Sequence, residues 1–152
     1  MQTMDKEDFK ARFQSVIRVR MDWHAFDSPE VVVQREQLAL PRQLDRLWTP
    51  WYVGGTDGPP PQTPEAEPLS VNEAARDVER LGHNGPGVHR HVQEGDARDY
   101  EAPALQMADG RFLLLDRNHH TVAAAILGSA VTVTLAVVRP TGGRRMLLDL
   151  PF

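Results

Sequence analysis

The chain contains no cysteine. That absence removes thiol nucleophiles, disulfides and thiolate-bound zinc together. No apolar run approaches the roughly 18 residues that a membrane helix needs. The start, with Asp5, Lys6, Glu7, Asp8 and Lys10, lacks the apolar stretch of a secretion signal. A basic stripe is missing too. Lys and Arg total 17 against 21 Asp and Glu, and the arginines lie scattered, as Arg18 and Arg20, Arg42 and Arg46, Arg144 and Arg145. Nucleic-acid partners demand clustered cations to neutralise phosphates, so the charge pattern argues against them. The expectation is a soluble, cytoplasmic protein with a small-molecule ligand.

What is present suits one domain. A chain of 152 residues with 41% hydrophobic and 25% charged content can bury a core of its own. Residues 1–30 read as a helical arm, because Phe9, Phe13, Val16 and Ile17 recur at helical spacing. The arm either docks on a partner or packs on its own domain. Val31 to Leu40 is β-branched and apolar, and reads as a strand stopped by Pro41. Arg42 to Trp51 suggests a short helix with Leu44, Leu47, Trp48 and Trp51 on one side. Residues 54–68 carry five prolines and no apolar period, which marks an inserted surface loop.

Ser70 to Leu81 predicts a helix. Ser70 and Glu73 have capping-box spacing, Val71, Ala74, Ala75, Val78 and Leu81 share a face, and Gly82 follows as a stop. Residues 83–99, rich in His and Gly, read as a second inserted loop. Ala104 to Met107 and Arg111 to Leu115 form a hairpin across Asp109-Gly110, expected to be a type I′ turn. The polar run Asp116-Arg117-Asn118-His119-His120 then leads into a small-residue helix from Thr121 to Leu127, stopped by Gly128. A strand from Ala130 to Val138 follows, and Met146 to Leu150 adds a last one. The order predicts a mixed α+β domain.

Three pieces resemble the ParB/sulfiredoxin-like superfamily. They are VVVQREQLAL from Val31, SVNEAARDVERLG from Ser70, and the stretch from Ala104 to Val138 with its hairpin, polar motif, alanine-rich helix, glycine and strand. The resemblance implies a small mixed sheet with helices over residues 31–152. It also implies a nucleotide or phosphate held where the motif meets the helix: ATP, ADP or CTP with Mg²⁺, for transfer or hydrolysis. Where such motifs carry glycine and arginine, this chain has Arg117 and His120. The cysteine of sulfiredoxin chemistry is absent. His119 matches the family's histidine.

Residue chemistry alone points to the same place, since a strand-to-helix junction offers unpaired N–H groups and a positive dipole end to an anion. Asp116, His119 and His120 are the candidate catalytic groups. Arg117, Asn118 and Thr121 are candidate ligand contacts, with Trp48 as a stacking surface for a base or a sugar. Asp116 and Asn118 also suit helix capping, and the Trp48 to Tyr52 aromatics also suit a core. An alternative chemistry is a divalent transition metal held by His89 and His91, which one strand face would bring together, with His119 or His120. A third reading is a non-catalytic interaction module presenting the N-terminal helix and the tryptophan cluster.

Overall fold

The computed structural model describes residues 2–51, 68–95, 98–142 and 144–148. One six-stranded mixed sheet forms the centre, in the order β1-β2-β6-β4-β5-β3. Its spine is the antiparallel pair of β2 (Val31–Leu40) and β6 (Val131–Pro140), in register from Val31 opposite Pro140 to Leu40 opposite Val131. β4 (Tyr100–Gln106) runs parallel to β6, and β5 (Phe112–Leu114) is antiparallel to β4. β3 (Leu47–Trp48) lies parallel to β5 at one edge, and β1 (Gln2–Met4) pairs with β2 at the other.

Strand alternation divides the apolar side chains between two layers. Val131, Val133, Leu135 and Val137 of β6 join Leu38, Leu40, Phe112 and Leu114 beneath α3 (Val71–Arg76), α4 (Gly85–Glu94) and α5 (Asn118–Leu127). Ala136, Val138, Val31 and Val33 face the opposite layer. There α1 (Lys6–Phe13) and α2 (Trp23–Phe26) bury Phe9, Phe13 and Phe26. The N-terminal segment is therefore part of the domain's own core and sheet. Of its apolar stripe, Phe9 and Phe13 are buried in this core, whereas Val16 stays exposed.

Several elements depart from the sequence expectations. The capping box at Ser70 and Glu73 forms, but α3 ends at Arg76 and a 3₁₀ segment, Val78–Asn84, carries the chain on through Gly82 at φ 56°. Residues 83–99 are not simply a loop, because they contain α4. Pro86 sits in its first turn, where a missing N–H costs nothing, and Val88 is buried while Val92 packs against the core. Gly95, at φ 64°, closes α4 by donating to the carbonyls of His91 and Val92.

The region from Arg42 to Trp51 makes a 3₁₀ turn, Leu44–Arg46, and β3 instead of a helix. The hairpin forms without a type I′ turn. Gly110 at φ 87° donates to the Met107 carbonyl (2.9 Å), and Met107 N–H to Arg111 (2.8 Å). A type I′ turn would need positive φ at Asp109 as well, and among described non-glycine residues only Arg117 has it. α5 begins at Asn118, three residues before the expected start. The last strand reduces to one bridge between Met21 and Leu147, and its end lies outside the described residues, as does the expected loop from Gly54 to Glu67.

Candidate functional site

A cleft of about 270 Å³ opens where β5 runs out into α5. Leu115, Asp116, Asn118 and His119 form one wall. Val16, Arg18 and Val19, from the segment after α1, form another. Pro50 and Trp51 follow β3, and His83 and Asn84 lead directly into α4. The cleft thus lies at the starts of two helices, α4 and α5, each carrying partial positive charge at that end.

The turn into α5 is held tightly. Arg117 sits just before the helix with φ 65° and ψ 24°, a left-handed conformation unusual for a side chain other than Gly, Asn or Asp. Its carbonyl accepts from both the Thr121 N–H (2.9 Å) and the Thr121 hydroxyl (2.8 Å). The Tyr100 hydroxyl is hydrogen-bonded to the same Thr121 oxygen. These contacts fix the direction in which Asn118 and His119 leave the turn.

Asn118 is 8% exposed. Its Nδ2 donates to the Leu114 carbonyl over a long 3.4 Å, while its buried Oδ1 has no hydrogen-bond partner among the described residues. A carbonyl accepts only, so Leu114 requires the amide nitrogen on its side and leaves the oxygen free. An unsatisfied buried acceptor is uncommon and costs about 1–3 kcal/mol. The amides of Asn118, His119 and His120 belong to the first turn, where no earlier carbonyl of α5 can receive them.

His119 is half-buried, its ring centroid 4.9 Å from that of Trp51. Burial pushes its imidazole below the ordinary histidine value, and the nearby His91, Arg18, Arg90 and His83 push the same way. All four neighbours are cations or become so, which makes the surroundings of His119 favourable to an anion. Asp116 is half-buried and lines both the cleft and a second, open hollow of about 610 Å³. Arg12, Phe13, Tyr100, Glu101 and the exposed Arg117 border that hollow.

The structure therefore gathers Asp116, Asn118 and His119, and separates the other candidates. His120 turns away from the cleft into a cluster of tilted rings, its centroid 4.3 Å from that of Tyr100 and 5.4 Å from that of His91. Adjacent helical residues diverge by about 100°. Thr121 is fully buried and works on the turn rather than on a ligand. Trp48 packs in the opposite layer beneath the Arg111 guanidinium, 4.1 Å from its ring centroid, and Trp51 takes its place at the cleft.

The metal pair does not form. α4 separates His89 and His91 by about 200° around its axis. His89 is exposed with Glu79 at 3.9 Å, whereas His91 is turned inward toward His120. Among the described residues no group of three His, Asp or Glu side chains is placed to hold a metal ion. Tertiary folding alone brings Arg18, and Trp51, His83 and Asn84 of the aromatic and His-rich segments, to α5. Comparison with protein-family models, with curated proteins and with solved structures finds no match for the chain.

Proposed function

We propose that this protein binds a small anionic ligand, of the phosphate ester or nucleotide class, in the cleft at the start of α5. The observation carrying this reading is the meeting of two helix starts with Arg18 and His119 around one hollow, with the unpaired Asn118 oxygen buried in its wall. Two positive dipole ends and a guanidinium offer an oxyanion charge and hydrogen-bond donors together. Asn118 adds a buried acceptor without a partner, which would bond a ligand hydroxyl or amine once a small side-chain shift opens it to the cleft. The cleft's size, about 270 Å³, lies near the lower end of ligand pockets, which run from roughly 300 to 1,000 Å³. The resemblance of the motif to the ParB/sulfiredoxin-like pattern agrees with this ligand class.

Chemistry at such a site is phosphoryl transfer or hydrolysis. A neutral His119 accepts a proton from an attacking hydroxyl or water, and lowering its pKa keeps it neutral near pH 7. Asp116 is the carboxylate of the cleft. It would orient the imidazole or hold a magnesium ion brought in with a nucleotide. Phosphoryl transfer depends mainly on positioning and charge neutralisation, which suits a site of this modest composition.

Calorimetric titration with phosphate, AMP, ADP, ATP and CTP, with and without Mg²⁺, tests the reading. Saturable binding by at least one, weakened by Arg18→Ala and His119→Ala, is expected. A folded protein that takes up none of them overturns it.

A further inference from the structure

α4 begins with Gly85-Pro86-Gly87, a poor start by propensity, since each glycine costs about 0.5–1 kcal/mol relative to alanine in a helix. Neither glycine is explained by backbone conformation, because neither has positive φ. Gly85 has a packing reason, since a Cβ there would lie 3.2 Å from the Val78 carbonyl oxygen. Gly87 has a different one. A Cβ at residue 87 would lie 2.6 Å from Cδ2 of His119, 3.0 Å from Nε2 and 3.2 Å from Cγ. The imidazole occupies the space that any side chain at 87 would fill.

From another direction the same ring meets Trp51, with centroids 4.9 Å apart and planes inclined at 52°. His119 is thus seated by groups from α4 and from the segment after β3, while it still lines the cleft. A histidine serving only as core filler has no need of an open wall. We propose that Gly87 is a positioning residue, whose missing side chain is the notch that holds the His119 imidazole in place to meet an oxyanion in the cleft. This rests on the reading of the cleft as an anion site.

The consequence follows from sterics. A methyl at residue 87 cannot share this space with the ring, which must leave its present seat against Trp51. Around His119 stand His91 and Arg90 of α4, His83 before it, Arg18 from the N-terminal segment, and Asp116 of its own turn. A displaced ring regains water, and its pKa moves up toward the ordinary histidine value.

The test uses the full chain, labelled for histidine side-chain NMR, as wild type and as Gly87→Ala, with and without inorganic phosphate. In the wild type one imidazole titrates below the ordinary range and carries ring-current shifts from Trp51; its loss in His119→Gln assigns it. Gly87→Ala moves that signal to an ordinary position and raises its pKa, leaving the other histidines in place. Phosphate affinity falls about tenfold, as for loss of one hydrogen bond to a charged group. Unchanged His119 signals and unchanged affinity, with only a lower Tm, overturn the proposal.

If Gly87→Ala does not fold, the double variant Gly87→Ala/His119→Ala decides. Folding as stable as His119→Ala alone supports the seat, because removing the ring removes the clash. A double variant that stays unfolded overturns it. A wild type that binds no phosphate overturns the anion reading alone, and the imidazole spectra then decide the seat.

Discussion

Replacing Asn118 by leucine separates a binding residue from a capping residue. Leucine has nearly the shape of asparagine and removes both polar atoms at once. What is lost in the folded protein is one bond from Nδ2 to Leu114 at 3.4 Å, a length at which a hydrogen bond contributes little, roughly 0.5 kcal/mol. What is relieved is the buried Oδ1 without a partner, a burden of about 1–3 kcal/mol. Leucine also has the better helix propensity, by a few tenths of a kcal/mol.

The balance favours the variant by about 1 kcal/mol, which corresponds to roughly 2–4 °C in Tm for a chain of this size. Urea denaturation reads it as a higher midpoint at an unchanged slope. Binding of a nucleotide whose hydroxyl or amine bonds Oδ1 should fall at the same time, because that acceptor is gone. Greater stability with weaker binding is the mark of a group kept for its ligand. If Asn118→Leu instead loses more than about 1 kcal/mol, Asn118 is a structural anchor of the turn and the argument from its unpaired oxygen fails.

Further outcomes follow from the same geometry. His119 has a folded pKa below its unfolded value of 6.5, so the unfolded chain takes up the proton more readily. The stability it contributes is complete above that unfolded value and is lost as pH falls through it toward the folded pKa. His119→Gln should flatten this acid-side decline in the urea midpoint, and an equally steep decline would contradict the assignment. An anion in the cleft raises the pKa of His119, so binding near pH 6 draws in protons; calorimetry in buffers of different ionisation enthalpy measures this uptake. Arg117→Gly removes a left-handed strain of about 1–2 kcal/mol and adds about 0.5–1 kcal/mol of chain entropy to lose on folding. The variant should therefore match or slightly exceed the wild type in thermal unfolding, and a loss above about 1 kcal/mol would show that the Arg117 side chain supports the fold.

The sequence was most legible where one local signal decides the structure. β2 follows its β-branched run from Val31 to Leu40, and the Ser70 and Glu73 capping box forms as their spacing predicts. The strand, polar turn, small-residue helix and strand around α5 appear in the predicted order, and Asp116, Asn118 and His119 meet at the cleft. α4 was hidden because glycines in its first turn read as loop signals, although Pro86 suits a first turn and Val88 and Val92 lie four apart on one face. Gly87 has its explanation in a contact with His119, more than thirty positions away, and Gly85 in one with Val78. The choice between Trp48 and Trp51 was illegible for a similar reason. Only the pairing of β3 with β5 sends Trp48 to the opposite layer and leaves Trp51 beside His119.

If α5 presents its first turn to an anion, backbone amide NMR during a phosphate titration shows saturable downfield shifts of the Asn118, His119 and His120 amide protons, with smaller shifts at the start of α4 and at Arg18. A titration that leaves these amides unmoved while the protein stays folded, or that moves only surface lysines and arginines elsewhere, would contradict it.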